Sequence, residues 1–231
     1  MALPFASQPL LPTLPLQIAD QIAASIVDGR FAPGSRLREV ELSASFEVSR
    51  ATVREALRLL EQRGLVRIQP QRGAHVTQLS AKELDDLFEV RASLLSTGSR
   101  LVAERCSAAE VASLRTQVAR LRESVDDLDA YTRLSADLVG ALMRMSGNDV
   151  LAAYVEDFAQ RIGRYVRLGL LSIARRRHSV ETWDRLIDAI AARDGEGAAL
   201  LHRRLALENR SAALDAYRTQ FAATAADVRV G

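Results

Sequence analysis

The stretch PGSRLREVELSASFEVSRATVREALRLLEQRGLVRIQPQRGAHV, residues 33–76, decides how this chain is read. FAPGSRL reads as a loop around Pro33 and Gly34. A short helix is expected from Arg38 to Phe46, with Val40 and Leu42 facing inward. Glu47 and Val48 leave room only for a tight connection, and Ser49 is a good N-cap because its hydroxyl can accept a free first-turn N–H. The helix that follows puts Val53, Ala56, Leu57 and Leu60 on one face, and Gly64 stops it. LVRIQ (65–69) and GAHVTQL (73–79) are β-compatible runs separated by Pro70, Gln71 and Arg72, which predicts a hairpin.

Two helices, a tight turn and a hairpin suit a DNA groove, provided the start of the second helix offers donors. Here that start reads Ser49-Arg50-Ala51-Thr52-Val53-Arg54. Arg50, Arg54 and Arg58 are spaced four apart and form one stripe opposite the apolar face. A planar guanidinium can pair with guanine O6 and N7 or bridge phosphate oxygens. Ser49 and Thr52 can donate to phosphate, and Arg72 beside Gly73 can reach a minor groove or backbone. Between Arg30 and Arg72 nine arginines face five acids, a local +4 in a chain whose net charge is +2. A generic amphipathic helix would carry the same stripe; the helix before it and the hairpin after it favour nucleic acid.

Outward from this segment the chain is helical. Residues 1–15 hold four prolines and read as a flexible arm, without the basic start of a signal peptide. A helix begins near Leu16, with Ile18, Ile22, Ile26 and Val27 in phase and Gly29 as its stop, so a winged helix-turn-helix domain is expected over 16–79. Residues 80–231 predict an all-α bundle, with helices at about 81–105, 108–124, 127–145, 148–174, 179–193 and 196–221. The single cysteine, Cys106, excludes an intrachain disulfide and reads as a packed residue. No apolar run reaches the roughly 20 residues of a membrane span, so a cytoplasmic protein is expected. No GxSxG, HExxH, CxxC or Gly-rich phosphate loop occurs, which argues against an enzyme.

The pieces PGxxL, VSRATVREAL, LEQRGLV and PxRG make residues 16–79 resemble the DNA-binding domain of the GntR family of repressors. The resemblance implies operator contacts from Arg38, Ser49, Arg50, Thr52, Arg54, Arg72 and Gly73, a structural role for Glu39, and palindromic double-stranded DNA bound by a homodimer. LFEVRASLL (87–95), SGNDVLAAY (146–154) and LIDAIAARDGEGAALLHRRL (186–205) resemble, more loosely, the FCD type of effector domain of the FadR subfamily. Many FCD domains hold a divalent metal through one Asp and three His. The matching positions here are Ser135, Val139, Trp183 and Leu205, a poor ligand set, so no metal or other cofactor is expected. His178 and His202 lie nearby and are read as solvated among arginines. The four replaced positions predict an apolar pocket wall suited to an acyl or aromatic acid, whose charge would need Arg91, Arg161 or Arg164. The chain is thus expected to be a homodimeric, effector-responsive repressor of a nearby catabolic or transport operon. A helical protein-interaction module whose winged helix no longer binds DNA is the alternative.

Overall fold

The computed structural model describes residues 12–227, and side chains as far as 219. Most of the Pro-rich arm expected at 1–15 therefore lies outside the described residues. Its end does not behave as an arm: the first helix, α1, runs Leu14–Val27, with Pro15 in its first turn. Proline is tolerated there because the first-turn N–H groups have no intrahelical acceptor. The chain divides into two compact units between Gln78 and Leu79.

In the N-terminal unit, α2 (Glu39–Ser45) and α3 (Arg50–Gln62) are joined through Glu47, which adopts a left-handed φ of 54°. The predicted inner face of α3, Val53, Ala56, Leu57 and Leu60, is buried and packs with Ile18, Ile22 and Ile26 of α1 in one core. Leu42 joins that core, but Val40, expected to face inward, is half exposed. α2 has only seven residues, and it turns a single apolar residue inward. The expected hairpin is present as β2 (Val66–Gln69) and β3 (Gly73–Val76), in antiparallel register with Val66 opposite Val76. The loop predicted around Pro33 contributes a third strand, β1 (Arg36–Leu37), paired to β3. Two residues are too few for periodicity to reveal; their pairing is fixed by buried Leu37 opposite Ala74.

Among the described residues the C-terminal unit has six helices: α4 (Ala81–Arg105), α5 (Ala108–Glu123), α6 (Leu128–Met145), α7 (Asp149–Leu168), α8 (Ile173–Ala191) and α9 (Gly195–Asp227). Ser80 and Ser107 open α4 and α5 with reciprocal capping boxes to Glu83 and Glu110. Gly98 on α4 lies against Met143 of α6, where a Cβ would collide with the methionine sulfur. The break between α7 and α8 falls at Gly169–Ser172, earlier than the 174–179 expected from sequence. Arg176 explains the shift. Its buried guanidinium donates to the carbonyls of Leu170 (2.6 Å), Leu171 (2.8 Å) and Val125 (2.6 Å). The carbonyls of Leu170 and Leu171 lie just past α7, where the helix no longer supplies donors, and that of Val125 lies between α5 and α6. Read by composition alone, an arginine-rich run looks like a solvated linker; here it is the first turn of α8 capping the helix before it.

Candidate functional site

Two sites stand out, one in each unit. In the first, Ser49 caps α3 by accepting from the Thr52 N–H at 3.1 Å, and its hydroxyl also meets that of Thr52 at 2.8 Å. One O–H proton of the pair is used between them and one remains for an outside acceptor. Arg54 is half exposed and forked onto Glu39 of α2, with Nε and Nη2 at 3.1 and 2.7 Å from its two carboxylate oxygens. That guanidinium holds the Glu39 carboxyl below its ordinary range. The pair ties the two helices and leaves the Nη1 edge of Arg54 pointing in a fixed direction. Arg38 pairs with Glu41 at 2.9 Å, and Arg58 lies 3.5 Å from Glu55.

Arg50 and Arg72 are exposed and have no ion-pair partner among the described residues. Arg72 sits at the wing turn between Gln71 and Gly73, both with left-handed φ, 62° and 84°. Arg36 was not singled out from sequence. Strand β1 brings its guanidinium to 3.4 Å from where a Gly73 Cβ would stand, so the wing glycine provides room for a second arginine. Only pairing between strands far apart in sequence places Arg36 there. The site as built is a basic face: a capped helix start, an arginine stripe in which Glu39 orients Arg54, and arginines at the wing.

The second site is a cavity inside the helical unit, with about 350 Å³ of free space including its mouth. Ser135, Val139, Trp183, Leu205 and Arg91, five of the seven residues expected from sequence, line it together. Arg161 and Arg164 do not: Arg161 is exposed and Arg164 is half-buried elsewhere on α7. The wall is less apolar than the sequence predicts, because Arg175, Ser179, His202 and Asn209 also line it. His202, expected to be solvated, is buried, with Nδ1 2.6 Å from the Ser99 hydroxyl and its ring edge-on to Trp183 at 5.1 Å. Burial, reinforced by the Arg91 charge, pushes its pKa down to about 3, so the ring is neutral. His178 instead stays on the outside, 3.1 Å from Glu208. The α9 pattern around LLHRRL is ambiguous in sequence; only the packing of α9 against α4 and α8 shows that His202, not its arginine neighbours, points inward.

The donor set does not fit a divalent metal. Such an ion needs several N or O donors at about 2.0–2.6 Å, and three of the four matching positions are Val139, Trp183 and Leu205. Among the described residues no group of three or more His, Cys, Asp or Glu side chains converges anywhere. Nor does any described helix have the length and apolarity to cross a membrane.

A winged helix-turn-helix with an arginine-bearing helix α3, followed by an all-helical domain, defines the class of DNA-binding transcription regulators. Residues 14–76 match the gntR family of bacterial regulatory proteins, and residues 86–225 match the FCD domain. The chain therefore belongs to the gntR family, in the branch that carries an FCD domain, and its relatives are transcriptional regulators and not enzymes. It is 32% identical to the HTH-type transcriptional regulator BphR of Paraburkholderia xenovorans over 76% of this chain and 75% of that one. It is 34% identical to the regulator YdhC of Bacillus subtilis over 48% of this chain, a match that spans about half (49%) of that relative. Identity to the transcriptional repressor RspR of Escherichia coli is 28%, over 67% of this chain and 70% of that one. Among solved structures, E. coli McbR/YncC shares the fold, with a TM-score of 0.79 at 21% identity, covering 90% of this chain and all (100%) of that one.

Proposed function

We propose that the protein is a cytoplasmic repressor that binds a palindromic operator as a homodimer and is released by a small molecule held in the cavity of its helical domain. Control of a nearby catabolic or transport operon is the setting this reading implies. The observation that carries it is the start of α3, where Arg54 is oriented by Glu39 while Arg50 beside it is exposed and unpaired. Single-sided amphipathicity needs neither the orientation nor the unpaired charge; a groove lined with phosphates and base edges uses both. Repressor relatives such as RspR support the sign of regulation. Dimerisation follows from affinity: one winged helix covers one half-site, and two half-sites on one dimer gain from effective concentration.

Operator DNA recovered by selection from a random pool gives the test. Arg50→Ala and Arg54→Ala should each weaken binding by about 1–3 kcal/mol, about 5- to 150-fold, if they read bases. Thermal stability should change little, because both residues are exposed and an exposed ion pair is worth under about 1 kcal/mol. Unchanged affinity in Arg54→Ala sinks the assignment of α3 as the reading helix. Sedimentation of the full chain at micromolar concentration should give a dimer, and a monomer at that concentration refutes the two-half-site model.

A further inference from the structure

Tyr165 of α7 and Tyr217 of α9 converge on one residue, Leu79, the first of the C-terminal unit. The Leu79 N–H donates to the Tyr165 hydroxyl oxygen at 3.2 Å, and the Tyr217 hydroxyl donates to the Leu79 carbonyl at 2.7 Å. Both rings are buried, 6.1 Å apart between centroids, in a cluster with Leu84, Phe88, Ile162 and Leu214, and the Leu79 side chain packs against that cluster. Leu79 precedes the N-cap Ser80, so α4 supplies no partner for either of its peptide groups. In an exposed linker water would serve them. Packing alone would be met by phenylalanine; a buried tyrosine brings a hydroxyl that has to be matched. Here two such hydroxyls, from residues 86 and 138 positions further along the chain, end on the same residue.

One residue earlier the backbone is not held. The Thr77 N–H donates to the Leu65 carbonyl at 2.9 Å and the Val76 N–H to the Ser35 carbonyl at 2.9 Å, bonds that belong to the N-terminal unit. Between Thr77 and Leu79, Gln78 is exposed and makes no hydrogen bond to any described residue. The joint in the chain is therefore one residue long, with two soft backbone dihedrals of its own. Without the two tyrosine hydroxyls the free stretch would extend from Gln78 to Ser80, where the capping box of α4 takes hold.

We infer that Tyr165 and Tyr217 are positioning residues for operator recognition: by holding both peptide groups of Leu79 they confine the joint to Gln78, and so restrict the spacing of half-sites that a dimer accepts. The inference rests on the palindrome-binding homodimer proposed above and adds what selects its operator. One base pair added between half-sites moves them about 3.4 Å apart and turns one against the other by about 34–36°. A one-residue joint has little reach with which to absorb that change, since a residue spans at most about 3.6 Å. A longer free stretch spreads each DNA-binding unit over more arrangements, which lowers the effective concentration at the best spacing and raises it at the others.

The test uses the full chain and a palindrome recovered by selection, with its spacer lengthened or shortened by single base pairs and, separately, with one half-site scrambled. Wild type should bind the best spacing about tenfold or more tighter than its one-base-pair neighbours. In Tyr165→Phe/Tyr217→Phe that ratio should fall about threefold or more, while affinity for the single half-site stays within about twofold of wild type. Two glycines inserted after Gln78, which leave both tyrosines in place, should flatten the spacing profile in the same way. A merely structural role for the tyrosines predicts a lower melting temperature and an equal loss at every spacing, with the ratio unchanged. The Leu79 amide should exchange slowly in wild type and faster in Tyr165→Phe. Unchanged ratios in the tyrosine variant or in the insertion, a wild type indifferent to spacing, or a rapidly exchanging wild-type Leu79 amide overturns the inference. A wild-type chain that binds no palindrome overturns the operator reading and this inference with it, whereas tight binding with an unchanged ratio in the variants overturns this inference alone.

Discussion

His202 should make the helical domain acid-sensitive in a defined window. The ring is buried, accepts or donates one hydrogen bond to Ser99, packs on Trp183 and faces Arg91, with Arg175 in the same cavity wall. In the unfolded chain a histidine gains its proton near pH 6.5, whereas here the folded-state value is about 3. Between those two values the unfolded state binds more protons than the folded one. Stability therefore falls as pH drops below about 6.5, and the fall from this group ends near pH 3. Each pH unit in that window is worth about 1.4 kcal/mol, so at pH 5 the loss is about 2 kcal/mol. The assay is urea denaturation of wild type and His202→Asn at pH 7.5 and pH 5.0. The variant loses some stability at both pH values; the difference between the two pH values isolates the titration. Wild type should lose about 2 kcal/mol more than the variant on going to pH 5.0. Equal losses in the two proteins refute a buried neutral His202.

Packing gives three more expectations. Gly98→Ala should destabilise by about 1–3 kcal/mol in thermal or urea melts, because its Cβ meets Met143 inside the core of the bundle. Arg176→Ala should cost about 3 kcal/mol or more, since two carbonyls just past α7 and one between α5 and α6 lose a charged donor; hydrogen exchange should rise first around residues 168–172. Ser80→Ala should cost about 1 kcal/mol through loss of the α4 capping box, with Ser80→Asp losing much less.

The sequence by itself determined much of what depends on local pattern. The inner face of α3, its Ser49 cap, the wing and the number of later helices are written in periodicity and in capping residues, which act over a few positions. The family motifs add the expectation that residues at the start of α3 contact operator DNA. Tertiary structure decided what depends on residues far apart in the chain. Arg36 reaches the wing only because two residues pair with β3. Arg54 is oriented by an acid 15 residues earlier. Arg176 reads as surface charge until three carbonyls from two segments close around it. His202 and Arg175 resemble their solvated neighbours in composition, and only helix packing turns them into the cavity that Ser135, Val139, Trp183 and Leu205 were expected to line. Burial of a charge is a property of everything that surrounds it, and no short window of sequence contains those surroundings.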